Sequence, residues 1–169
     1  GEGGGGSAHA THDKAVLSCS VFAMLQLARS RDSSTRMRMV SEGAVAPLVH
    51  LCASVRLGDG TLLAHAAGSI ANLANDAASR TQVLREGPIR ALVRICASCQ
   101  DTKAVCNATA ALRNIARHDD DTRALIVEAG AVPALSRLCS SADAEAEQEP
   151  ATVSYAVGVL VNLTLHENS

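Results

Sequence analysis

A chain of 169 residues with 47% apolar side chains has material for a core, and with Phe22 and Tyr155 its only aromatics, that core must be built from Ala, Val, Leu, Ile and Cys. Its formal charge of −2 leaves no excess of base to neutralise phosphates, which argues against nucleic acid, although arginine outnumbers lysine thirteen to two and is able to form a local patch. No apolar run approaches the ~20 residues of a membrane span, and the Gly-rich start has neither the basic nor the apolar region of a signal peptide, so a soluble, intracellular, cytoplasmic chain is expected.

Residues 1–14, GEGGGGSAHATHDK, lack periodic apolar positions and are expected to form a flexible tail. From Ala15 to Ala28 the pattern turns helical, with Leu17, Val21, Met24 and Leu27 on one face. Ser33 and Ser34 are placed to cap a short helix carrying Met39 and Val40, which Gly43 stops by taking a left-handed conformation. A second helix follows, with Val45, Leu48, Val49 and Cys52 at the i, i+3, i+4, i+7 spacing and Pro47 tolerated in its first turn. Gly58-Asp59-Gly60 then breaks the chain before a third helix bearing Leu63, Ala66, Ala67, Ile70 and Leu73.

The same three parts return twice. Val83 and Leu84 precede Gly87-Pro88; Ile89, Leu92, Val93 and Cys96 follow, then Val105, Ala108, Leu112 and Ile115. Ile126 and Val127 precede Gly130; Val132, Pro133, Leu135 and Cys139 follow, then Val153, Ala156, Val157, Leu160 and Leu163. Gly43, Gly87 and Gly130 stand 44 and 43 residues apart, and Arg36, Arg80 and Arg123 keep the same spacings. A period in the forties with helical patterning inside each unit is the sign of a stacked α-solenoid, whose units cannot bury their apolar faces alone. The expected boundaries are a partial unit at 15–34 and full units at 35–78, 79–120 and 121–169, the last lengthened by an acidic loop, SADAEAEQEP, expected to be a solvated connector. The first helix lacks the earlier partners of its unit and the closing HENS resembles the start of another short helix, so the array is expected to continue beyond these residues.

Cys52, Cys96 and Cys139 occupy one equivalent position in successive units, too far apart to pair at roughly 10 Å between stacked helices, so the six thiols are expected to be reduced and mostly buried. Cys96-Ala-Ser-Cys99 with Cys106 lacks the second pair that zinc requires, and no nucleophile-base pair or phosphate-cradling loop stands out. No metal, cofactor, small-molecule substrate or catalytic residue is expected.

At GAVPALSRLCSS and AALRNIARHDDDTRALIVEAGAV the chain resembles the armadillo-repeat family over about Ala15 to Asn168. The resemblance implies an all-α, right-handed superhelix of three-helix repeats, no enzymatic activity, and a concave groove lined by third helices that holds an extended segment of a partner protein. The alternatives are a structural subunit of a larger assembly, for example ciliary or cytoskeletal, or the substrate-recognition part of a larger enzyme such as a ubiquitin ligase. In several family members a late asparagine hydrogen-bonds the ligand backbone, and Asn72, Asn114 and Asn162 match it, with Gln26 in the partial unit. One helical repeat back stand His65, Asn107 and Tyr155, and one turn forward Asn75, Arg117 and Leu165, giving a mixed, mildly basic groove in which His65, Asn107, Arg117 and Tyr155 choose side chains. Members that read nuclear-localisation peptides carry a tryptophan four residues before the asparagine; Gly68, Ala110 and Gly158 stand there, so their lysine slots are not expected. The alternative role for the asparagines is to tie neighbouring helices. On the groove reading, replacing Asn72 and Asn114 together is expected to weaken a partner while leaving the melting temperature nearly unchanged.

Overall fold

The computed structural model describes residues 5–54, 56, 58–140 and 151–165, with burial given from residue 13 onward. The acidic insertion at 141–150 and the closing residues 166–169 lie outside them. Among the described residues there are ten helices and no strand. A long α1 (Gly5–Ala28) leads into three units: α2 (Ser33–Ser41), α3 (Val45–Ser54) and α4 (Gly60–Leu73); α5 (Ala77–Arg85), α6 (Ile89–Ser98) and α7 (Thr102–Ile115); α8 (Asp120–Glu128), α9 (Ala131–Ser140) and α10 (Ala151–Thr164). Like packs on like from unit to unit: α4 lies against α7 and α7 against α10, α3 against α6 and α6 against α9, and α2 against α5. One continuous core runs through the stack, with Leu48, Leu63, Ile70, Leu92, Ile95, Leu112, Ile115, Ile126 and Leu135 fully enclosed.

Each unit turns between its first and second helix on a glycine of positive φ: 81° at Gly43, 65° at Gly87 and 79° at Gly130. A side chain there would be strained by its own Cβ, which is why the glycine recurs with the period.

Three local expectations change. Helix α1 starts at Gly5, not near residue 15, because its far half is anchored on α4 and adding turns to an existing helix needs no new nucleus. Lys14 also pairs with Asp59, holding this part of α1 beside the start of α4. The cap of α2 is Asp32 rather than Ser33 or Ser34; its carboxylate accepts the Ser34 N–H at 2.9 Å and the Ser34 hydroxyl, and those bonds hold its pKa below the usual value. Asp101 and Asp119 cap α7 and α8 in the same way, at 2.7 Å from the Ala104 nitrogen and 2.8 Å from the Thr122 nitrogen. Finally, the buried stripe of α1 is Val21, Met24 and Ala28, while Leu17 and Leu27 are exposed, because α1 packs chiefly on α2 and α4.

The last unit likewise leaves Val127, Val132 and Val157 exposed. Ile89 and Thr109, which hold the positions of Val132 and Val157 in the unit before, are buried because a further unit covers them. Cys52, Cys96, Cys99 and Cys106 are buried, Cys139 half-buried and Cys19 exposed, and all six are free. Burial pushes the thiol of Cys52 up to about 12 and that of Cys96 to about 11, so neither is a nucleophile near neutral pH.

The repeated arginines have a structural task that their spacing alone did not reveal. Arg80 in α5 is 7% exposed and donates to the carbonyls of Ala74, at 2.8 Å, and Asn75, at 3.2 Å, at the end of α4. Arg36 reaches the Ser30 carbonyl beyond α1, and Arg123 the Ala116 carbonyl beyond α7 at 3.2 Å. Each therefore closes the end of the preceding third helix, where carbonyls lack intrahelical partners and a cation meets the negative end of the dipole. A second series joins the second helices: Arg94 donates to the Cys52 carbonyl at 2.6 Å, and Arg137 to the carbonyls of Cys96 and Ala97. The forked guanidinium suits two carbonyls at once, which accounts for part of the excess of arginine over lysine.

Candidate functional site

Helices α1, α4, α7 and α10 form a ladder, and one cavity of about 470 Å³ runs across all four. Its walls are Leu25 and Arg29 at the end of α1; Gly68, Ala71, Asn72 and Asn75 along α4; Lys103, Cys106, Asn107, Ala110, Arg113 and Asn114 on α7; and Ala151 and Tyr155 on α10. Of the residues singled out from the sequence, Asn72, Asn75, Asn107, Asn114 and Tyr155 meet here. His65, Arg117 and Asn162 do not line it. His65 lies against Phe22 of α1, ring centroids 5.1 Å apart, and Arg117 is exposed past the end of α7, close enough to Arg80 to lower that residue's pKa after the larger effect of burial.

The asparagines are not equivalent. Asn114 is 6% exposed and donates from Nδ2 to the Ala71 carbonyl of α4 at 2.9 Å, tying two third helices together. Asn107 does the same to the Ala64 carbonyl at 2.8 Å, and Asn162 reaches the Arg113 carbonyl at 3.4 Å. Asn72 is half-buried and makes no such bond among the described residues. Three amides thus bridge neighbouring third helices, and Asn114 is now expected to contribute to stability. A tie uses only the amide nitrogen. The Oδ1 of Asn114 is enclosed and has no hydrogen-bond partner among the described residues.

At Gly68 and Gly158 the ladder is filled by side chains of neighbouring helices. A Cβ on Gly68 would fall 2.9 Å from the Asn107 nitrogen and 3.1 Å from Leu25 Cδ1, and one on Gly158 would fall 3.0 Å from Arg113 Cδ. The glycines thus admit side chains from the neighbouring helices. Arg113 lies over Gly158 and sets its guanidinium 4.6 Å from the centre of the Tyr155 ring, a cation–π contact that fixes its direction. Sequence reasoning missed Arg29, Lys103 and Arg113. Arg29 was within reach, since it follows Gln26 by the same three residues that separate Asn75 from Asn72 and Arg117 from Asn114. Among the described residues no helix is long and apolar enough to cross a membrane, and no group of three or more His, Cys, Asp or Glu side chains is arranged to hold a metal ion.

The architecture is an α-solenoid of three-helix units. No family model matches the chain. In overall shape it is similar to computationally designed armadillo repeat proteins for modular peptide recognition, with a TM-score of 0.74, 26% identity, and coverage of 87% of this chain and 58% of that one. It is also similar to the designed armadillo repeat protein YIII(Dq.V1)4CPAF in complex with peptide (KR)4, with a TM-score of 0.72 at 23% identity over 88% of this chain and 58% of that one. A stretch of 68 residues is 38% identical to the E3 ubiquitin-protein ligase SPL11 of Oryza sativa subsp. japonica, covering 40% of this chain and 9% of the ligase. The chain thus spans less than two thirds of the length of each of these proteins. Its fold is that of a solenoid of armadillo-type repeats.

Proposed function

We propose that this chain is a protein-binding module that holds an extended segment of another protein along the ladder of third helices. The observation that carries this reading is the cavity shared by α1, α4, α7 and α10, with Asn72 and Asn75 on its wall and outside the helix ties. A carboxamide offers donor and acceptor to a peptide unit whatever its side chains. Four ladder helices at about 10 Å spacing span roughly 30 Å, room for about nine extended residues. The likeness to designed proteins made for peptide recognition supports the same use.

The test is selection from a library of random peptides of about twelve residues, followed by affinity measurement on variants. Asn72→Ala and Asn75→Ala are each expected to weaken the selected peptides several-fold, the loss of about 1 kcal/mol of hydrogen bonding, with unchanged thermal melting. If affinity survives both but falls with Arg90→Ala or Leu125→Ser, on the cleft between α5, α6 and α8, the ladder is not the binding face. The likeness to the rice ligase favours a second reading, in which the module selects substrates within a larger ubiquitin ligase. That reading uses the same groove and differs in the fate of the bound protein.

A further inference from the structure

Resting on the groove reading above, we propose that the segment held there is acidic, an extended peptide whose Asp or Glu side chains meet Arg29 and Arg113 while its backbone meets the asparagines. Two arginines, Arg29 and Arg113, line the cavity, and no Asp or Glu is among its described lining residues. The chain as a whole carries −2, so this is a local concentration of positive charge and not a reflection of composition.

Arg113 is the anchor. Its aliphatic stem rests on Gly158 and its guanidinium on Tyr155, so a carboxylate meeting it does not have to order a free side chain. Arg29 stands at the opposite end of the cavity, past the end of α1, so the two charges bracket the asparagines of α4 and α7. Between them Asn72 and Asn75 line the cavity outside the helix ties, with carboxamides that can meet a peptide backbone. A carboxylate-bearing peptide thus meets both the arginines and the amides. Single-stranded nucleic acid would satisfy only the charge, because the one aromatic ring of the cavity, Tyr155, already carries Arg113 and offers no stacking platform. A basic peptide such as (KR)4, held by one of the designed proteins, would meet like charge.

Fluorescence anisotropy with labelled probes of about twelve residues decides the matter: one alternating Glu and Ser, one of Ser and Thr, (KR)4, and an RNA oligomer of equal charge to the first. At about 50 mM salt the acidic peptide is expected to bind about ten-fold more tightly than the neutral one, the gap closing near 0.5 M as the charges are screened, with (KR)4 unbound. Arg29→Ser and Arg113→Gln are each expected to cost the acidic peptide about three-fold and the neutral one nothing, with circular dichroism unchanged. If acidic and neutral peptides bind alike and Asn72→Ala weakens both, the groove stands and the preference for acid is wrong. If no peptide binds, or Asn72→Ala changes nothing, the groove reading falls and this inference with it. RNA bound more tightly than the acidic peptide, and lost on Arg113→Gln, would overturn the choice of a peptide.

Discussion

Replacing Arg80 with leucine is expected to lower stability by about 2–4 kcal/mol, because the charged hydrogen bonds it makes in the interior are lost and their acceptors stay behind. Arg80 is 7% exposed, and the carbonyls of Ala74 and Asn75 lie where α4 ends and the chain turns into α5. Leucine fills part of the space and satisfies neither oxygen. At about 2–4 °C per kcal/mol for a chain of this size, the melting temperature is expected to fall by roughly 4–16 °C. Arg80→Lys is expected to recover part of the loss, since an ammonium group meets one carbonyl but does not reproduce the fork. The control is Arg85→Ala on the same helix: exposed and bonded only to Gln82 within α5, it is expected to change stability by less than about 0.5 kcal/mol. Equal melting of the Arg80→Leu variant and the parent protein would refute the assignment of the recurring arginines as closures between units.

Asn114→Ala is the second large effect. It removes the 2.9 Å bond to Ala71 and part of the packing between α4 and α7, and is expected to cost about 1–2 kcal/mol, a fall of roughly 2–8 °C in melting temperature. Asn72→Ala, at the same register one unit earlier, is expected to melt within about 1–2 °C of the parent because it breaks no such tie. Thermal melts of the two single variants decide this. Equal destabilisation would mean that Asn72 is also a tie, and would remove the principal backbone-reading amide from the groove.

That contrast marks what the amino-acid pattern carries and what it withholds. Helix positions, glycine stops and the register of the units follow from apolar spacing and from a backbone angle only glycine takes cheaply, and Gly43, Gly87 and Gly130 were readable in those terms. The recurrence of asparagine was equally plain, but its use depends on the carbonyl that the preceding helix presents. Ala71 presents one to Asn114, and nothing described does so for Asn72. Leu27 and Val132 fit a helical stripe as well as Val21 and Leu135 do, yet exposure is settled by whether a neighbouring unit lies over them. The positive charge of the groove was hidden for a similar reason. Arg29, Lys103 and Arg113 come from different helices and different registers, and Arg113 reaches its place only because Gly158, on the next unit, leaves room.

The claim that the third-helix ladder is the binding face is tested most directly by hydrogen exchange of the full chain with and without a selected peptide, read residue by residue. Slowed exchange and shifted signals are expected to gather on the ends of α1 and α4, along α7 and at the start of α10, around Arg29, Asn72, Asn75, Asn107, Arg113 and Tyr155. Protection gathered instead on α5, α6 and α8, around Leu84, Arg90 and Leu125, with the ladder unchanged, would contradict it.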